Sequence, residues 1–444
     1  MASARPILWD IYEEHLDEAA FLFGQWERAM NAASYTLEEV IEGPEERLLA
    51  HLDGLVLGGK PVADRFLIPA LADGDLGKVW ASAWALLQAE DANHLDLVVD
   101  AVTKAEKKEA RAALARAFEL SHRNDLKARL LPMLDTSPPE LQAVIVNVLS
   151  TRSPPPEPGK PPVSEFPLEA LLETRHPELL VAALRALRWA PDPAFAHFVE
   201  KPLASPYVAI RDAAIETGMV LGMRAAWKAC SKLVARNAMG TRLALALLAL
   251  GGEPVDVRTI IKKLEVEAMR RDALWALGFA GTIEAADAAL GLIADEELAK
   301  LAGESFSTIT GVRLAGALTE IGKTDNTGPP EVEDDDDASL PVVKPEDNLP
   351  VPNAARVRAW WEKHRPKFQP EARLLYGQPA TGVGLHQAIA AGPNWRRRVW
   401  LLELAMRGGP DVDAGMWARK QKTVTGEASE GLHLEVPLLA LAKA

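Results

Sequence analysis

Met269-Arg270-Arg271-Asp272-Ala273-Leu274-Trp275-Ala276-Leu277-Gly278-Phe279-Ala280-Gly281 is the stretch that decides the fold. Its apolar residues keep the spacing of an amphipathic helix. Gly278 and Gly281 suit a helix C-terminus, where a left-handed residue closes the turn. Residues 283–293 then read as a second, shorter amphipathic helix, so the unit is a helix hairpin.

The unit repeats. Leu184-Arg185-Ala186-Leu187, Ile210-Arg211-Asp212-Ala213-Ala214, Thr241-Arg242-Leu243-Ala244 and Arg271-Asp272-Ala273-Leu274 align, with arginines 26, 31 and 29 residues apart. That is one hairpin per unit, slightly below the usual HEAT period. Arg211, Arg242, Arg271 and Asp272 read as structural repeat residues that bond turn carbonyls and neighbouring units. Apolar helical runs at 79–88, 107–120, 139–149, 177–189, 206–220, 240–250, 265–279 and 283–293 are separated by short turns, and no window alternates as a strand would. A chain of 444 residues is long for one core, whose growth stops near about 250–300 residues. A stack whose units pack only on their neighbours escapes that limit. The predicted fold is all-α: a HEAT-like α-solenoid of stacked helix hairpins with a smaller helical C-terminal region.

Outward from the repeats, residues 7–30 read as one helix with an acidic face of Glu13, Glu14, Asp17 and Glu18. A second helix starts at Thr36 with Glu39 as its capping box, and Gly43-Pro44 closes it. The predicted organisation is an N-terminal helical cap at 1–60, a repeat array at 61–322, an acidic disordered linker at 323–352 and a helical region at 353–444. The array is interrupted by a Pro-rich loop at 153–166, where proline denies the helix its donors. The linker holds Glu331-Val332-Glu333-Asp334-Asp335-Asp336-Asp337, a solvated acidic run. Residues 422–434 show no helical period and read as a short strand or an ordered loop.

The formal charge of −14 gives nucleic acid a poor surface and would draw a basic partner. No run approaches the roughly 20 apolar residues that span a bilayer, and residues 1–10 do not read as a signal peptide. The expectation is a cytoplasmic protein away from membranes. Cys230, the single cysteine, excludes an intrachain disulfide and reads as a small core residue. The nine histidines form no zinc-hydrolase pattern, and Gly54 to Gly59 lacks the Lys-Ser/Thr of a phosphate loop, reading instead as a helix end and turn. Catalytic residues, metal ligands and cofactors are therefore all predicted to be none.

Candidate partner-binding residues are Glu13, Glu14, Asp17, Trp360, Trp361, Arg396, Arg397 and Arg398. The three arginines stand between Trp395 and Trp400 and read first as docking the acidic linker or a neighbouring helix. The 12 tryptophans fall mostly on apolar helix faces, and an exposed minority would anchor an interface.

Four stretches resemble a bacterial family of uncharacterised proteins with HEAT-like repeats of the phycobilisome-lyase type. They are Ile7-Leu8-Trp9-Asp10 with Glu13-Glu14-His15-Leu16-Asp17-Glu18-Ala19, residues 43–55, Arg271-Asp272-Ala273-Leu274-Trp275-Ala276-Leu277-Gly278, and residues 301–306 with Ile309-Thr310-Gly311. Residues 358–365 extend the resemblance. It implies a place beside type VI secretion components and carries over no catalytic residue. The function expected is a non-catalytic protein-binding scaffold, an adaptor or chaperone for a secretion effector or spike subunit. An immunity protein that neutralises a basic toxin is the alternative, and a HEAT-like lyase or DNA glycosylase the remote one.

Overall fold

The computed structural model describes residues 7–89, 91–152, 167–251, 253–320, 344–370 and 372–426, with Leu438 and Ala442. The Pro-rich loop read at 153–166 lies outside these residues, as does 323–343 of the acidic linker. The chain is all-α, and its helix hairpins stack side by side as HEAT-like repeats, with a smaller helical C-terminal region. The backbone divides into two compact units. One comprises Met1–Met30, Leu37–Pro202 and Asp413–Lys422; the other comprises Asn31–Thr36, Leu203–Val412 and Thr423–Ala444.

The first unit contains α1 (Trp9–Met30), α2 (Glu46–Leu57), α3 (Leu76–Gln88), α4 (Ala92–Lys104), α5 (Lys108–Leu120), α6 (Pro139–Ser150) and α7 (Pro177–Trp189). Here α1 packs on α2 and α3, α3 on α5, and α6 on α7. Asp75 and Asp91 cap α3 and α4, each accepting from backbone N–H groups two or three residues on. Gly43-Pro44 does not end a helix as predicted. Leu37–Val40 runs into a π-helical turn, Ile41–Glu45, and straight on into α2. Pro44 cannot donate, and the wider turn absorbs the lost bond without stopping the chain.

In the second unit α8 (Val208–Val220), α9 (Arg224–Ala235), α10 (Arg242–Gly251), α11 (Pro254–Lys263), α12 (Glu267–Ala280), α13 (Ile283–Gly291) and α14 (Ala299–Thr310) form two layers. The first helices α10, α12 and α14 pack on one another in sequence. The second helices α9, α11 and α13 back them. Alanine lets the first helices approach closely, since Ala244, Ala246, Ala273, Ala276 and Ala302 are all buried. The chain then adds α15 (Ala354–His364), α16 (Gly382–Ala391), α17 (Asn394–Met406) and α18 (Ala418–Gly426). Residues 422–426, read as strand or loop, are thus helical, and the remainder of that tail is outside the described residues.

One small β-hairpin appears among these helices. β1 (Leu374–Leu375) pairs antiparallel with β2 (Gln378–Pro379), too short to leave an alternating pattern. Tyr376 and Gly377 both take positive φ, as a two-residue hairpin turn demands. The hairpin closes two helix ends: Leu374 N–H donates to Gly281 O at 2.7 Å, Tyr376 N–H to Thr308 O at 2.8 Å and Gly377 N–H to Ile309 O at 2.9 Å. These carbonyls would otherwise be orphans at the C-termini of α12 and α14. Gly281 and Gly311 are left-handed there, and a Cβ on either would strike the hairpin backbone. Gly281 ends its helix as predicted, while Gly278 stands inside α12.

His15 of α1 and His51 of α2 face each other with Nδ1 atoms 3.1 Å apart. One ring donates and the other accepts only while the pair stays short of full protonation. Burial lowers the His51 pKa first, and the neighbouring His15 lowers it further. The folded protein therefore holds His51 neutral at a pH where the unfolded chain protonates it. Its contribution is full above about pH 6.5 and is lost as pH falls through the lower folded value. Chemical denaturation between pH 7 and 5 should show this loss, and His51→Gln should flatten the slope in that window.

Candidate functional site

The first-layer face of the second unit is occupied by the chain itself. α17 lies on α8 and α10, and its side chains reach α12 and α14. Arg396 is fully buried. Its Nε donates to Glu304 Oε1 at 2.6 Å and Nη2 to Glu304 Oε2 at 2.5 Å, a two-point grip on one carboxylate. Nη1 donates to Trp275 O at 3.0 Å and Nη2 also reaches Ser305 Oγ at 3.0 Å. Glu304 further accepts from Trp395 Nε1 at 3.2 Å and from Thr308 Oγ1 at 3.1 Å. The guanidinium fits because α12 has a glycine beneath it: a Cβ on Gly278 would lie 2.5 Å from Nη2. Gly278 is a notch for an arginine.

The rest of the arginine run is placed the same way. Arg397 is buried and donates to Ile389 O of α16, and burial pushes its guanidinium down to about 10. Arg398, more than half exposed, donates to Glu216 Oε1 of α8 at 2.5 Å. This corrects the reading of Arg396 and Arg397 as partner-binding residues: they are interior, and they dock a neighbouring helix. Further along α17, Glu403 is fully buried between Arg373, at 2.5 and 2.9 Å, and Arg407, at 3.0 Å. Burial alone would raise its pKa, but the two arginines outweigh burial and hold the carboxyl below its usual range.

In the first unit residues 413–422 lie against α1, α3 and α5. The Trp417 ring stands 5.1 Å from Trp26, 6.2 Å from Trp84 and 6.4 Å from Trp80, and Phe23 stacks on Trp80 at 3.7 Å. Its Nε1 donates to Leu120 O at 2.7 Å. Glu45, the last residue of the π-helical turn and fully buried, receives Trp26 Nε1 at 3.0 Å and the backbone N–H groups of Ala418 at 2.6 Å and Arg419 at 2.9 Å. A buried carboxylate thus closes the N-terminus of α18, where the helix dipole favours negative charge. Arg116 adds a bond to Gly415 O and an ion pair with Glu27 at 2.8 Å.

The other candidates fall into different settings. Glu13 and Glu14 are exposed and make no ion pair among the described residues. Asp17 pairs with Lys78 of α3 at 2.6 Å. Trp361 is buried with Nε1 bonded to Asp287 at 2.7 Å, and half-buried Trp360 stacks on His364. The repeat arginines act differently from one another. Arg211 donates to Gly240 O at 2.6 Å, Arg242 lies 4.1 Å over the Trp275 ring and Arg271 pairs with buried Glu346. Burial raises the Asp272 pKa, against the pull of Arg242 and Arg271. Cys230 is fully buried, and burial pushes its thiol up. Sequence reasoning missed Glu45, Glu304, Glu403 and the seat of Trp417. The available signal was the lack of a polar side in residues 79–87 and 243–250, which marks helices covered on both sides.

No protein-family model and no curated protein matches the chain. Several solved structures are similar to it, among them the following two. YibA of E. coli is 12% identical with a TM-score of 0.30, over 69% of this chain and 98% of that one. Human deoxyhypusine hydroxylase, in complex with glycerol, is 16% identical with a TM-score of 0.23, over 67% and 94%. At these scores neither likeness carries anything to this chain.

Two sets of substitutions test the anchors. Arg396→Met leaves the Glu304 carboxylate buried without its counter-charge and should cost about 3–5 kcal/mol, whereas Arg396→Met with Glu304→Leu should recover most of that loss. Urea unfolding of the full chain measures both. Glu45→Gln removes one acceptor oxygen and the charge from three N–H donors, and should cost about 1–3 kcal/mol. Hydrogen exchange at Ala418 and Arg419 should accelerate before the rest of the first unit responds.

Proposed function

We propose that the chain is a non-catalytic protein-binding scaffold. The supporting observation is that its hairpin stack already holds a helix, α17, largely through side-chain anchors: an arginine in a glycine notch, a charge pair and apolar packing. A stack that grips one helix in this way has the chemistry to grip another on a face left open. Around these anchors the titratable groups are paired within the fold, so what remains outside is recognition chemistry. Glu13 and Glu14 on α1 and the outer sides of the second-layer helices supply it.

The partner is a protein. The resemblance to a family found beside type VI secretion components places effectors and spike subunits first among those to try, with the chain as their adaptor or chaperone. The test is purification of the full chain from its native host, identification of what elutes with it, and calorimetric titration of the two purified proteins. A saturable complex of fixed stoichiometry is the expected result. A chain that elutes alone under several salt and growth conditions, and gives no heat with any neighbouring gene product, defeats the proposal.

A further inference from the structure

Two second-layer helices of the second unit, α9 and α11, carry basic charge that forms few ion pairs among the described residues. In α9 the buried residues Ala226, Trp227, Cys230 and Val234 turn toward α10. Arg224, Lys228 and Lys232 follow at four-residue steps on the opposite, exposed side, with Arg236 just beyond the helix. In α11 Val257 and Ile260 are buried, while Arg258 and Lys262 are exposed. The two helix ends meet where Lys263 Nζ donates to Asn237 Oδ1 at 2.6 Å. Asp256, half-buried, is the one acid within either helix.

Arg224 bonds Ala442 O at 3.3 Å. Lys228, Lys232, Arg236, Arg258 and Lys262 make no ion pair among the described residues. The chain has 63 carboxylates against 49 lysines and arginines, so acids are abundant in composition, yet among the described residues none forms an ion pair with these five cations. Helix dipoles account for cations in the last turns of α9 and α11. They do not account for Arg224, Lys228 and Arg258, which lie before those turns. Like charges four residues apart on one helix also repel, so the arrangement weakens the isolated fold.

We propose that this ridge of α9 and α11 binds an acidic helix of the partner protein, a reading that rests on the scaffold function above. Cations four residues apart lie about 6 Å apart along the axis, the spacing of carboxylates at the same interval on a helix laid alongside. Val255, 60% exposed at the start of α11, gives that helix an apolar contact beside the charges. The net charge of −14 disfavours an extended nucleic acid, whose binding needs more phosphate contacts than this ridge offers and a field of the opposite sign.

The experiment uses the full chain and a fluorescent peptide of about 20 residues repeating Glu-Ala-Ala-Ala, with a Lys-Ala-Ala-Ala peptide and a single-stranded DNA of similar length beside it. The ridge variant carries Lys228→Glu, Lys232→Glu, Arg258→Glu and Lys262→Glu. A control of equal net charge carries Lys107→Glu, Lys127→Glu, Lys363→Glu and Lys367→Glu, and melting curves establish that both are folded. The glutamate peptide should bind at low salt, lose about tenfold or more in affinity with the ridge variant, and lose little with the control. Equal losses in both variants, no binding, or tighter binding of DNA overturns the proposal. If the ridge variant still captures the partner of the native chain with unchanged affinity, the ridge reading fails while the scaffold stands. Absence of any partner for the unmodified chain defeats the scaffold itself.

Discussion

In α10 every side chain from Ala244 to Leu250 is buried, so this helix needs cover on the side turned away from its hairpin partner as much as on the side turned toward it. Helices α9 and α11 supply one cover and α17 the other. The same demand stands in the first unit, where residues 79–87 of α3 are buried throughout and Trp417 with its flanking chain lies among their tryptophans. Burial of apolar area, at about 25 cal/mol per Å², drives each arrangement. It is undirected, however, and many segments would satisfy it. Direction comes from the polar anchors set within it.

Those anchors share one design. A charged group is taken fully out of water and met by nearly every partner its geometry allows: Arg396 by Glu304, Trp275 and Ser305; Glu45 by three N–H donors; Glu403 by two arginines. Buried pairs of this kind add little net stability over apolar residues of the same shape. They do penalise every register in which the pair is broken. The glycine notch at Gly278 makes the same point sterically, since only the correct placement of α17 brings a guanidinium over the one position within α12 that lacks a Cβ.

Occupation of the first-layer face by α17 bears on how such a stack meets another protein. The face a reader of the repeats would offer to a partner, rich in Ala and Trp and marked by arginines, is filled from within the chain. Among the described residues the outer side of α9 and α11 stays open, polar and basic, with Asp256 the one acid in either helix. The recognition proposed there rests on charge matching and would weaken with salt, in contrast to the dry packing that seats α17.

Where the sequence bounded a helix, the bounds mostly hold to within two residues, because a 3.6-residue apolar period and Pro or Gly breaks are local facts; α4, α9, α11 and α14 to α18 were not bounded there. The hairpin repeat was legible too, from the spacing of Arg185, Arg211, Arg242 and Arg271. The π-helical turn at Ile41–Glu45 and the interior position of Gly278 were not, since proline and glycine carry the same local meaning whether a helix ends or is crossed by something else. Nor does composition say where a charge goes. Arg396, Arg397 and Arg398 are alike in sequence, and only the packing of α17 decides that two are buried and one looks outward, because the partners that make burial tolerable for Arg396 lie about 90 to 120 residues away.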